Sequence, residues 1–111
     1  MKIVCVPLSR EAMLRLDFDS CAEGELLEFI IDDSDFNEIF NVGFFTKINS
    51  DLGLMIDEYE DENIPFEKLE DAISVFNFFL NEKSIRNESF YKIGELLKLA
   101  KEKKTGFFMY F

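Results

Sequence analysis

The chain begins and ends in the same kind of segment. Lys2 to Val6 is a β-branched, apolar run closed by Pro7, and Phe107 to Phe111 is aromatic or apolar throughout. Short runs of this kind read as buried strands. Two of them, at opposite ends of a chain whose middle carries helical spacing, are most simply paired in one small sheet. The expected architecture is therefore α+β, or a small α/β fold: a helix-rich single domain, residues 1–111, around a sheet that includes strands 2–6 and 107–111. A chain of 111 residues buries roughly two thirds of its unfolded surface on folding. Fourteen phenylalanines are enough to fill the core, and they set the chain apart from disordered acidic sequences, which are poor in aromatics.

Local signals divide the middle of the chain. Ser9 is a good N-cap for a helix over Arg10 to Leu16, with Ala12, Met13 and Leu16 on one face. Leu26, Leu27, Phe29, Ile30 and Ile31 fit a short helix or a strand. Ser34 is placed to cap a helix with Asp35 and Glu38 in its first turn and Phe36, Ile39 and Phe40 as its stripe. Phe45, Ile48, Leu52, Met55 and Tyr59 recur at steps of three and four, which favours helix over 44–59. Against this, Asn49, Ser50, Asp51 and Gly53 are weak helix formers. Pro65 suits a first helical position. Beyond it Phe66, Leu69, Ala72, Ile73, Phe76 and Leu80 mark a long stripe that Val75, Phe78 and Phe79 widen, so this helix is expected to be central. A last helix starts near Asn87, carries Phe90, Ile93, Leu97 and Ala100, and ends in Lys98, Lys101, Lys103 and Lys104 before Gly106.

Charge is distributed unevenly over this pattern. Between Leu16 and Ile64 fifteen carboxylates stand against one cation, Lys47, while the flanks are mildly basic and the whole chain carries −11. A surface of one sign attracts a basic macromolecule over about one Debye length, ~8 Å in physiological salt, and repels nucleic acid and anionic lipid. The expected partner is thus a basic protein, with no direct contact to nucleic acid or membrane. The oligomeric state stays open.

The composition argues against catalysis. There is no histidine, so Ser-His and Cys-His nucleophile pairs, His metal sites and His general bases are absent. No dinucleotide fingerprint, P-loop or nucleophile elbow occurs, and no cofactor or metal is expected. Paired carboxylates can hydrolyse glycosides, but with twenty-three acids some pair will always meet the distance requirement. Asp33, Asp35 and Asn37 match the first ligands of a calcium loop, yet Glu38 stands where the sharp turn needs Gly, and Phe44 where a bidentate carboxylate belongs. Cys5 and Cys21 are too few for a disulfide scaffold and read as reduced and packed. The N-terminal run is shorter than a signal-peptide core, and no stretch is long enough to cross a bilayer, so the expected compartment is the cytoplasm.

One segment stands out as a binding surface. Asp57, Glu58, Glu60, Asp61 and Glu62 place five carboxylates within six residues, expected as a loop over 57–63. Their repulsion costs stability unless a partner offsets it, and Tyr59 adds an aromatic ring of the kind enriched at interface hot spots. With Asp32, Asp33 and Asp35 these form the candidate partner-binding set.

The run from Ile56 to Glu62 leads into Ile64-Pro65 and the helix of Leu69, Ala72 and Ile73. With the closing Lys104 to Phe111, it resembles the small immunity proteins that protect bacteria from toxins of contact-dependent growth inhibition and related polymorphic toxin systems. The resemblance implies a cytoplasmic inhibitor, not an enzyme, that binds one cognate toxin, often a basic nuclease, and blocks its active site or substrate surface. On the residues alone two other readings stay open: an acidic regulator or nucleic-acid mimic that binds a DNA-binding protein, and a small cation-binding module.

Overall fold

The computed structural model describes residues 1–16, 18, 20–83 and 85–111. Asp17 and Asp19, which belong to the acidic stretch, and Ser84 lie outside the described residues. The elements run β1 (Lys2–Pro7), α1 (Arg10–Leu16), β2 (Leu26–Ile31), α2 (Asp33–Asn41), α3 (Phe44–Leu52), β3 (Asp61–Pro65), a 3₁₀ turn (Phe66–Lys68), α4 (Leu69–Glu82), α5 (Glu88–Lys103) and β4 (Gly106–Tyr110). The four strands form one antiparallel sheet in the order β2-β1-β4-β3, so the α+β expectation holds and the terminal strands are adjacent at its centre.

The register sorts side chains between the two faces. Ile31, Phe29 and Leu27 lie opposite Lys2, Val4 and Val6, and Val4 lies opposite Met109. Ile64 lies opposite Phe107. Alternation puts all of these on one face. There Val4, Val6, Ile31, Ile64, Phe107 and Met109 join the core formed with helices α2 to α5. The opposite face carries Ile3, Cys5, Phe108, Tyr110 and Ile30. It is covered in part by α1, whose Arg10 and Met13 share a crevice with Asn63, Pro65 and Phe108. Among the described residues no helix is long and apolar enough to cross a membrane.

Aromatic rings tie the helices together. Phe90 of α5 stacks on Phe76 of α4 at 4.5 Å and meets Phe44 of α3 edge to face at 5.2 Å. Such pairs add about 0.5 to 1.5 kcal/mol each beyond the area they bury. Gly94 lets α4 and α5 approach, because a Cβ there would fall within the ring of Phe76. The most enclosed helix is α5, which packs on β1, β4, α4 and α2. It takes the central place expected of α4, where Phe78 stays about half exposed.

Several local expectations hold, and others are corrected. The Ser9 hydroxyl accepts from Ala12 N at 3.0 Å, so that cap forms as read; the last helix starts beside Asn87 as expected, and the structure shows why, with Asn87 Oδ1 accepting from Phe90 N at 2.6 Å. Residues 26–31 resolve as strand because β1 offers them a ladder along their whole length. The α2 cap is Asp32, whose carboxylate accepts from Ser34 N, so the helix starts one residue before the expected cap. The helical stripe over 44–59 stops at Leu52, because Gly53 adopts a left-handed φ of 70°. Pro65 ends β3, and a 3₁₀ turn separates it from α4. The last helix is stopped not by Gly106 but by Lys104, itself left-handed at φ 58°.

Candidate functional site

The acidic segment begins where α3 ends, and Asn49 sets its course. Asn49 Nδ2 donates to Ile56 O at 2.9 Å, and its Oδ1 accepts from Ile56 N at 2.7 Å. This pair of bonds substitutes for a strand partner and seats Ile56 in the core. Asp57 Oδ1 then accepts from Glu58 N, turning the chain, and Tyr59 adopts a left-handed φ of 72°. A side chain at such a φ is held there only by its surroundings.

Those surroundings centre on Lys2. Strand alternation places Lys2 on the helix-facing side of β1, so its stem is buried and the residue is 7% exposed. Its ammonium emerges at the end of the sheet, 4.5 Å from the Tyr59 ring centroid and 4.9 Å from that of Phe36. Glu58 Oε2 lies 3.5 Å away, and Lys2 Nζ donates to the main-chain oxygen of Phe111 at 3.3 Å. Two aromatic faces, a carboxylate and a carbonyl replace the water the ammonium gives up. Asp33 and Asn37 of α2 line the same depression as Lys2, Glu58 and Tyr59. Two acidic segments 25 residues apart in the chain thus meet around one buried cation.

The nine candidate residues separate into groups. Asp33, Glu58 and Tyr59 come together at Lys2. Asp32 caps α2, and Asp35 follows in its first turn. Asp57 and Glu60 turn toward α3 and border an open groove with Phe40, Thr46, Asn49, Leu54, Met55 and Ile56. Asp61 and Glu62 are not loop residues as expected but the first residues of the edge strand β3. Asp61 shares the α1 side of the sheet with Tyr110, which it faces in register. Glu62 is engaged with the main chain, its Oε2 accepting from Met55 N and its Oε1 from Asn63 N. The carboxylates that remain on display are Asp32, Asp33, Asp57, Glu60 and Asp61, which are exposed, and Asp35, which is half-buried.

Tyr59 itself is 82% exposed, with one face against the Lys2 ammonium and the rest in solvent. Met55, expected on a core stripe, is 79% exposed at the rim of the acidic groove. In the sequence Lys2 is simply part of a terminal strand, and Asn49 is a weak helix former. The period of two shared by Lys2, Val4 and Val6 would have placed the lysine on the core side; nothing local marks Asn49.

Chemically, this end of the molecule presents anionic oxygen atoms around an aromatic ring and an exposed thioether. Among the described residues no group of three or more acids and cysteines is arranged to hold a metal ion. Comparison of the chain with known protein families, curated proteins and solved structures finds no match.

Proposed function

We propose that the chain is a cytoplasmic immunity protein that neutralises a basic toxin, most simply a nuclease, by covering its cationic substrate surface. The observation that carries this reading is that Asp33, Glu58 and Tyr59 line one depression around Lys2, with Asp57 and Glu60 along the groove beside α3 and Asp32 and Asp61 exposed. A nuclease binds its substrate chiefly through lysines and arginines aimed at phosphates, and a set of carboxylates held on a folded rim offers those cations an alternative anion. The net charge of −11 would steer such a partner inward, raising association toward ~10⁸ to 10⁹ M⁻¹s⁻¹ at low salt. Tyr59 and Met55, exposed among the acids, supply the apolar contacts that slow dissociation.

The test uses the C-terminal domain of the protein encoded immediately upstream as the binding partner. Asp57→Asn, Glu60→Gln and Asp61→Asn together should slow association roughly tenfold at low salt and flatten its salt dependence, and should reduce protection of cells that express the toxin domain. An unchanged rate and salt slope would remove the acidic-rim mechanism.

A further inference from the structure

The two edges of the sheet are built differently. β3 carries Asp61 and Glu62 and ends in Pro65, which has no N–H to offer, and charges and proline are the usual guards against edge pairing. β2, at the other edge, reads Leu-Leu-Glu-Phe-Ile-Ile, with no proline, no lysine and Glu28 as its one charge. It pairs with β1 over six consecutive residues without a bulge, which leaves a straight row of main-chain groups along its outer side. Among the described residues no hydrogen bond beyond the β1 ladder reaches the main chain of Leu26 to Ile31. The strand is also apolar on both faces, with Leu27 37% exposed on the helix side and Ile30 58% exposed on the other.

The charge around this edge selects its occupant. Glu28 projects from the middle of the strand, and Asp32 and Asp33 follow its end, at the same end of the sheet as the Lys2 cluster, while Glu25 before it is paired with Arg15. A second copy fits poorly. Two-fold antiparallel pairing centred on Glu28 would set that carboxylate against itself, and pairing centred on Ile30 would set it against Asp32. Each copy also brings a charge of −11. We propose that the outer edge of β2 is a docking site for an extended, basic segment of a partner protein, which adds to the sheet as a fifth strand. Main-chain bonds hold the added strand, its apolar side chains cover Leu27 on the helix side, and its Lys or Arg side chains, on the face of Ile30, meet Glu28 and Asp32. This inference goes beyond the acidic-rim reading and does not rest on it, because it concerns a different edge of the sheet.

The probe is a capped hexapeptide, acetyl-Lys-Val-Lys-Val-Lys-Val-amide, titrated into the ¹⁵N-labelled full chain. Amide shifts and new exchange protection should be confined to Leu26–Ile31 and the facing residues of β1. A peptide N-methylated at alternate residues on its pairing edge should lose the effect. Ile30→Lys, at an exposed position that leaves the rest of the spectrum unchanged, should weaken binding about tenfold by setting like charges together. Equal binding of the N-methylated peptide would reduce the effect to charge attraction and overturn the proposal, as would the absence of binding. Shifts confined to Asp33 and the Asp57–Glu62 segment would overturn it while leaving the acidic rim intact. Concentration-dependent dimerisation that protects the β2 amides would name a second copy as the occupant and overturn it as well.

Discussion

The ammonium of Lys2 lies 4.5 Å from the ring centroid of Tyr59, so the second residue of the chain holds the most exposed aromatic ring of its acidic segment in place. The same ammonium pairs with Glu58. A cation from one end of the sheet therefore fixes the loop that displays the anions, and the backbone strain at Tyr59 is offset by contacts that the loop's own sequence does not contain.

Lys2→Met keeps the apolar stem and removes the charge. The variant should lose about 1 to 2 kcal/mol, from the cation–π contacts and a half-exposed ion pair. Urea denaturation checks the loss. Amide exchange should quicken at Asp57 to Glu60 and not in α4 or α5.

Asn49→Ala removes both bonds to the main chain of Ile56. Leaving a buried residue with an unpaired N–H and C=O should cost about 2 kcal/mol. The discriminating readout is local: faster exchange of the Ile56 amide and altered shifts at Asp57 and Glu60, with the α5 amides unmoved.

Lys104→Gly should stabilise the fold. A lysine at φ 58° carries the left-handed penalty that glycine avoids, and its main-chain oxygen still accepts from Arg10 Nη1 after the change. Offset by the greater freedom of glycine in the unfolded chain, the net gain should be roughly 0.5 to 1 kcal/mol, read as a higher urea midpoint.

Burial pushes the Cys5 thiol up from its ordinary value of 9.0 to about 12, with the charge of Glu28 adding to the effect. Between these two pH values the folded chain keeps a proton that the unfolded chain has released, so stability falls as pH rises from about 9 toward 12 and is unaffected below that window. The measurement is the urea midpoint against pH for the wild-type chain and Cys5→Ala; the wild type should fall more steeply through the window. Parallel curves would show that Cys5 is not the group responsible.

Much of the local structure was legible because its causes are local. Ser9 caps α1 through a bond that closes within three residues, and the last helix starts beside Asn87 as its spacing indicates. The terminal strands follow from runs of apolar residues too short to be anything else in a chain of this size. The errors fall where a local signal competes with a distant partner. The stripe from Phe45 to Tyr59 has helical spacing, but Gly53 turns the chain, and Asn49 then captures Ile56 before another helical turn can form. Asp61 and Glu62 look like loop because they are acidic, yet β4 offers them a ladder, and main-chain pairing outweighs their weak strand preference.

The sequence by itself determined a helix-rich domain around a small sheet, the two terminal strands, the Ser9 cap and the location of the surplus negative charge along the chain, since propensity, spacing and charge are properties of neighbouring residues. Only the tertiary structure decided that Asp33 and Glu58 meet, that Lys2 lies between two aromatic rings, and that β2 rather than β3 is the unguarded edge. These follow from strand order and register, which bring distant residues into contact through a shared core, and no local stretch of the chain encodes them alone.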